Sequence, residues 1–84
     1  MFRLAFSNRT SGPILLQIDP WACVYELLPS ESLSIEVETS ASCPEISIDD
    51  RGESRFIALD DADDFYVIKD GKRVHWSDYQ SNIM

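Results

Sequence analysis

The chain has 84 residues, which is room for one small domain and excludes functions that need a separate cofactor domain or two lobes around a cleft. Apolar residues make up 44% of the chain, too many for an intrinsically disordered protein. Seven basic and fifteen acidic residues give a net charge of -8, which argues against binding to nucleic acid or to an anionic membrane surface. We therefore expect a single domain over 1–84, alone or as a homo-oligomer, with a neutral or basic partner.

The chain contains no apolar run near the roughly 18 residues of a membrane-spanning helix. Its first residues reach the polar stretch Ser7-Asn8-Arg9 before the apolar region of a secretory signal forms, so we expect no such signal. Cys23 and Cys43 have no further Cys or His at metal-ligand spacing. This pattern predicts reduced, partly buried thiols in a cytoplasmic protein, with a single bridge between the two as the alternative.

Apolar residues recur with a period of two along most of the chain, which is typical of strands with one buried face. The alternation is clearest in Leu33-Ser34-Ile35-Glu36-Val37-Glu38. The predicted strands are, in chain order, 2–6, 14–19, 23–28, 33–38, 45–49, 55–59, 65–69 and 72–76. Between the last two, Asp70-Gly71 predicts a two-residue type I′ hairpin turn. Residues 77–84 are expected to form a short tail or a helical turn capped by Ser77.

Each strand with its turn spans about 8 to 12 residues, a spacing typical of sandwiches and barrels. The sequence therefore predicts an all-β fold: an antiparallel β-sandwich or partly open barrel of seven to eight short strands. The alternation assigns the following residues to the core: Leu4, Leu16, Ile18, Tyr25, Leu27, Leu33, Ile35, Val37, Ile46, Ile48, Ile57 or Phe56, Phe65, Val67, Val74 and Trp76.

Negative charge is concentrated in one segment. Residues 34–64 contain ten acidic and two basic residues, a balance of -8 that equals the charge of the whole chain. We expect this segment to attract a basic protein partner. The predicted partner-binding residues are Asp49, Asp50, Asp60, Asp61, Asp63, Asp64 and Tyr66. The alternative is that the carboxylates only keep loops and strand edges soluble.

The Asp60–Asp64 cluster also resembles a calcium loop in composition, but it lacks the spaced Asp-x-Asp-x-Asp-Gly pattern. The one histidine, His75, alternates with Val74 and Trp76 and is expected to face solvent. No glycine-rich phosphate loop and no Cys-x-x-Cys pair occur in the sequence. We therefore predict no enzyme activity, no metal and no cofactor.

The leading functional hypothesis is an interaction module of the immunity, inhibitor or accessory-subunit type. The alternative is a β domain that binds a small molecule or a carbohydrate between aromatic rings, with Trp21, Tyr66 and Trp76 as the candidates.

The stretch Asp19-Pro20-Trp21-Ala22, continued by Tyr25-Glu26-Leu27 and Pro29-Ser30-Glu31, resembles a pattern in short uncharacterised bacterial proteins. That pattern is Pro-Trp-Gly, a Tyr-x-Leu strand, then Pro-Gly-Glu before an alternating strand. Ala22 and Ser30 stand where those proteins usually carry glycine. The resemblance implies a compact bacterial or phage β domain and implies no activity.

Overall fold

The computed structural model describes residues 1–79 and shows eight strands and no helix in that part of the chain. The strands are β1 (Phe2–Ser7), β2 (Ile14–Asp19), β3 (Cys23–Leu27), β4 (Ser32–Glu38), β5 (Ser47–Arg51), β6 (Ser54–Ala58), β7 (Asp64–Lys69) and β8 (Lys72–His75). The all-β prediction is confirmed. Every predicted strand is present, and the largest error in a strand end is two residues, at β5.

The strands form two four-stranded sheets that pack into a sandwich. The order is β1-β4-β7-β8 in the first sheet and β3-β2-β6-β5 in the second. Five of the six strand pairs are antiparallel, as predicted, whereas β2 and β6 pair in parallel. Because β3, β4 and β5 lie between β2 and β6 in the chain, no hairpin turn sets the relative direction of this pair.

Alternate residues of both sheets meet in one apolar core. Its buried members are Leu16, Ile18, Tyr25, Leu27, Leu33, Ile35, Val37, Ile57, Leu59, Phe65 and Val67. Of the two alternatives predicted in β6, Ile57 is buried and Phe56 is half-buried on the opposite face. Leu59 joins the core although the prediction did not include it.

Five predicted core residues lie at the margin instead. Ile48 is 65% exposed, so its predicted place in the core is wrong. It is exposed because β5 is the edge strand of the second sheet. Leu4, Ile46, Val74 and Trp76 are half-buried. The core is therefore formed by β2, β3, β4, β6 and β7, and it thins toward β1 and β8 in the first sheet and toward β5 in the second.

The β7–β8 turn has the predicted type I′ geometry, since Asp70 and Gly71 have φ angles of 53° and 80°. The peptide bond between Asp19 and Pro20 is cis. Residues 76–78 form a turn, and most of the predicted helical turn lies beyond residue 79, outside the described residues. Both thiols are free, Cys23 half-buried and Cys43 exposed, so the structure contains no bridge between them.

The two sides of the sandwich differ. On the side of β3 and β8, aromatic rings close the space between the sheets: Trp21 lies 4.9 Å from Phe65, and Tyr25 lies 5.2 Å from Tyr79, between ring centroids. On the side of β1 and β5, each sheet ends in an edge strand, and part of the space between the sheets is uncovered. We call this second side the open side.

No helix suited in length and hydropathy to crossing a membrane occurs among residues 1–79.

Candidate functional site: the open side of the sandwich

The open side is covered at one end only. There the loop before β5 brings Pro44 and Ile46 against Phe2 and Leu59, which fills the space between the sheets. At the other end a cavity of about 310 Å³ remains, and we call it the groove. The groove is lined by Ala5, Phe6, Ser7, Asn8, Ile14, Leu16, Leu27, Ile48, Arg55 and Ile57.

The apolar wall of the groove follows from the strand register. Ile48 on β5 pairs with Ile57 on β6, so both side chains lie on the face that the second sheet turns toward the first. Ile57 is 1% exposed, whereas Ile48 is 65% exposed at the mouth of the groove. The difference arises because the first sheet ends at β1 and leaves β5 without cover.

The polar residues of the groove already have partners within the chain. Asn8, 1% exposed, donates its amide hydrogens to the carbonyl oxygens of Gly12 and Leu27 at 2.9 and 2.8 Å. Its Oδ1 accepts from the backbone N–H and the hydroxyl of Thr10. Arg55 forms an ion pair with Asp50 and donates to the carbonyl of Gly52 at 2.9 Å. What the groove offers a ligand is therefore mainly apolar surface.

β5 is the most exposed strand of the described structure. All five of its residues are exposed, and its one pairing within residues 1–79 is with β6. The two-residue turn Gly52-Glu53 makes Arg51 and Ser54 a hydrogen-bonded pair. Because such pairs alternate along antiparallel strands, the backbone N–H and C=O of Ile48 and Asp50 point away from β6, toward the free edge.

The predicted acidic residues serve different local roles. Asp49 and Asp50 form ion pairs with Arg51 and Arg55 on the β5–β6 hairpin. Asp61 accepts a hydrogen bond from the backbone N–H of Glu45 at 2.7 Å, which ties the turn after β6 to the loop before β5.

Asp60 and Asp63 lie in the same turn, and only one of them holds a backbone amide. Asp63 accepts from the backbone N–H of Ser40 at 3.0 Å. Asp60 is exposed, and its carboxylate makes no hydrogen bond or ion pair with the described residues. Asp50 also accepts from the backbone N–H of Gly52 at 3.1 Å, so Asp49 and Asp60 are the predicted aspartates of these turns and strands whose charge holds no backbone amide.

Asp64 lies on β7 in the first sheet and is the hub of a small hydrogen-bond network. It accepts from Nε1 of Trp76 at 2.9 Å, from the backbone N–H of Phe65 at 2.9 Å and from Nε2 of His75 at 2.8 Å. Partial desolvation alone would raise the pKa of Asp64, but these donors outweigh it and hold its pKa below the usual value.

Tyr66 lies on the outer face of the first sheet, where a neighbouring charged side chain covers its ring. The guanidinium of Arg73 covers its ring at 3.7 Å and donates to Glu36 at 2.6 Å. Arg3 reaches the other carboxylate oxygen of Glu36. Asp64 and Tyr66 thus belong to the first sheet and Asp49 and Asp50 to the second, so the predicted partner-binding residues do not form one patch.

A hydrogen-bonded Ser77–His75–Asp64 chain was not expected from the sequence. His75 lies on the outer face, as its position in the alternation predicts, but beside Tyr66 and Asp64 rather than alone. The N–H of Ser77 points at Nδ1, so Nδ1 accepts and Nε2 carries the proton donated to Asp64. The hydroxyl of Ser77 lies 2.7 Å from Nδ1.

Acyl-transfer chemistry at Ser77 would require backbone donors for an oxyanion and a pocket for the substrate. The N–H groups of Asp78 and Tyr79 both donate to the carbonyl of His75. Ser77, His75 and Asp64 line neither the groove nor the smaller cavity beside Gly12. Through their hydrogen bonds these three residues connect β7 with the turn after β8.

The aromatic residues considered for ligand binding lie apart from the groove. Trp21 and Trp76 pack against Phe65 on the side of β3 and β8, and Tyr66 lies on the outer face of the first sheet. Among residues 1–79, no three His, Cys, Asp or Glu side chains are grouped so that they would hold a metal ion. Comparison with protein-family models, curated proteins and solved structures found no match to this chain.

Proposed function

We propose that the chain is a small, non-enzymatic interaction module that binds a basic or neutral protein partner at its open side. The observation that carries the proposal is β5: an edge strand with every residue exposed, an unpaired outer edge within the described residues, and an exposed Ile48 beside an apolar groove. An edge with unpaired backbone N–H and C=O groups is a common site of strand addition by a partner, while the charged side chains of β5 oppose its pairing with a second copy.

Charge supports a basic partner. The segment that holds β5 and β6 carries the negative balance of the chain, and a field of this sign speeds association with a cationic protein. Many of its carboxylates also hold loops and turns, so charge directs the encounter while β5 and the groove supply the contact. Proteins of the inhibitor, immunity or accessory-subunit type fit this description. We further propose that the module works in the reduced cytoplasm, since both cysteines are unbridged in the structure. Thiol titration of the freshly isolated, denatured protein should then count two free thiols.

Quantitative capture from the lysate of the source organism tests the proposal with two charge variants. Asp49→Lys combined with Asp60→Lys reverses two charges that hold no backbone amide, and Glu26→Lys combined with Asp78→Lys reverses two charges outside the acidic segment. Both variants change the net charge from -8 to -4, because each reversal adds two units. We expect the first variant to recover several-fold less partner at low salt and the second to match the wild type. Equal recovery by both variants would contradict a role for the acidic segment.

The groove also supports a second candidate, binding of a small apolar molecule. Its volume of about 310 Å³ lies at the lower limit of small-ligand sites. A carbohydrate site between Trp21, Tyr66 and Trp76 has less support, because these rings lie on different surfaces of the protein. Shifts of the methyl resonances of Ile48 and Ile57 on addition of small apolar compounds would favour this second candidate.

A further inference from the structure

The groove and the free edge of β5 share one residue. The side chain of Ile48 lines the groove, and its backbone N–H and C=O point from the free edge. A ligand that uses both features must itself be an extended chain, because only a strand pairs with an edge and sends alternate side chains to one face. The geometry therefore selects the form of the partner as well as its place.

We infer that the groove receives an apolar side chain from an extended segment of a basic partner protein, which adds to the second sheet as a strand beside β5. This inference rests on the proposed function and specifies the sequence pattern that the partner presents. Side chains opposite Ile48 enter the groove, where apolar residues are favoured by Phe6 and Ile57. Side chains opposite Asp49 point outward, beside a carboxylate that also pairs with Arg51, and the negative balance of residues 34–64 favours Lys or Arg there. The segment thus alternates apolar and basic residues.

The dimensions of the open side fit a short strand. Pro44 and Ile46 fill one end of the space between the sheets, so a strand beside β5 finds free volume only at the end that holds the groove. The side-chain amide of Asn8 is fully hydrogen-bonded, and Nη1 of Arg55 is held by Asp50 and by the carbonyl of Gly52, so an apolar side chain in the groove displaces none of these bonds. The strand gains its hydrogen bonds from the edge and its burial from the groove.

A second copy of this chain is the less suitable occupant. Antiparallel pairing of β5 with another β5 about Asp49 would place like charges opposite each other, and each copy carries a net charge of -8. With a basic strand, both the contact opposite Asp49 and the long-range force between the two molecules become attractive. The charge that opposes self-pairing thus favours a basic partner.

Titration of the isotope-labelled chain with two synthetic peptides, followed by NMR, tests this inference. The probes are an alternating peptide, Lys-Val-Lys-Val-Lys-Val-Lys, and a block peptide of the same composition, Lys-Lys-Lys-Lys-Val-Val-Val. We expect the alternating peptide to shift the amides of Ile48 and Asp50 and the methyl groups of Ile57 and Leu16 in a saturable way. The block peptide should give only weak shifts near exposed carboxylates, since it has the charge without the strand pattern.

Two substitutions at one position separate edge pairing from groove burial. Ile48→Ala removes part of the apolar wall of the groove and keeps the backbone N–H at the free edge of β5. The alternating peptide should therefore bind about fivefold more weakly to this variant. Ile48→Pro also removes the outward N–H without removing a bond to β6, so binding should weaken by more than about tenfold beyond the alanine variant. The dispersion of the peptide-free spectra controls for folding of both variants.

The peptide and lysate experiments fail in different ways. Equal affinity of the alanine and proline variants, or the absence of any saturable shift, would overturn strand addition at β5. Shifts confined to the turn around Asp60 would also overturn it, while the proposed function would stand if the lysate experiment shows the expected charge dependence. The expected peptide shifts together with charge-independent recovery from the lysate would instead support strand addition and contradict the role of the acidic segment in the proposed function.

Discussion

Two residues in the turns around β3 adopt a backbone conformation that favours glycine. Ala22 has a φ of 58° and Ser30 a φ of 73°, both in the left-handed region, where a side chain crowds the backbone at a cost of roughly 1–2 kcal/mol. Each of the two turns requires a positive φ at this position, which glycine adopts without a side-chain clash.

We predict that Ala22→Gly and Ser30→Gly each raise the free energy of unfolding. Relief of the left-handed strain outweighs the greater entropy of glycine in the unfolded chain, which leaves a gain of about 0.5–1 kcal/mol per substitution. Urea unfolding followed by circular dichroism measures it. Ala5→Gly on β1 is the matched control and should lower stability by about 0.5–1 kcal/mol, because Ala5 lies within a strand. A loss of stability in Ala22→Gly as large as that of Ala5→Gly would show that its φ carries no strain.

The β7–β8 hairpin is the element in which sequence and structure agree most fully, and it also shows what the sequence does not contain. Its turn and its strands are predictable from Asp70-Gly71 and from the alternation around it. The network at its end depends on register: Tyr66 pairs with His75, which brings the imidazole next to Asp64. No short motif marks this contact, because the two residues are separated by the whole hairpin.

We predict that Asp64→Asn lowers stability in a pH-dependent way. Since the pKa of Asp64 is lower in the folded protein, its carboxylate stabilises the fold fully above the unfolded pKa of about 3.9. That stabilisation is lost as the pH falls through the lower folded pKa. The difference in unfolding free energy between wild type and Asp64→Asn should therefore be larger at neutral pH than in strong acid. Asp60→Asn is the control, since its carboxylate has no described partner and should give little difference at either pH. A deficit of Asp64→Asn that is the same at both values of pH would contradict the assignment.

Alternation identifies which residues of an element share a face, but it does not identify which faces are covered. It places Leu33, Ile35 and Val37 correctly in the core, and all three are almost fully buried. The same argument places Ile48 in the core, and there it is wrong. Ile48 does lie on the inward face of its strand, but β5 ends its sheet where the opposite sheet gives no cover. The groove is unpredictable for the same reason, since it arises from how the edges of two sheets align.

At the scale of the whole molecule, the sandwich is asymmetric. Aromatic contacts between Trp21 and Trp76 and between Tyr25 and Tyr79 join the sheets on one side, whereas the other side leaves two strand edges and a groove. A chain with two such edges is exposed to self-association unless its sequence opposes it. The charged residues of β5 supply that opposition, because Asp49 and Arg51 occupy the outward face of the strand next to its free edge.

We therefore predict that the wild-type chain is monomeric in solution and that Asp49→Val combined with Arg51→Val makes it self-associate. These substitutions remove one negative and one positive charge, so the net charge stays at -8 while the outward face of β5 becomes apolar and β-branched. Sedimentation velocity at neutral pH measures the outcome. The control, Glu45→Val combined with Glu53→Val, adds the same side chains outside the strands and lowers the net charge to -6, so general repulsion between copies is weaker in the control. If net repulsion kept the molecules apart, the control would associate more strongly than the edge variant. If the charged edge of β5 keeps them apart, only the edge variant associates, and a monomeric edge variant would show that the edge is protected by some other means.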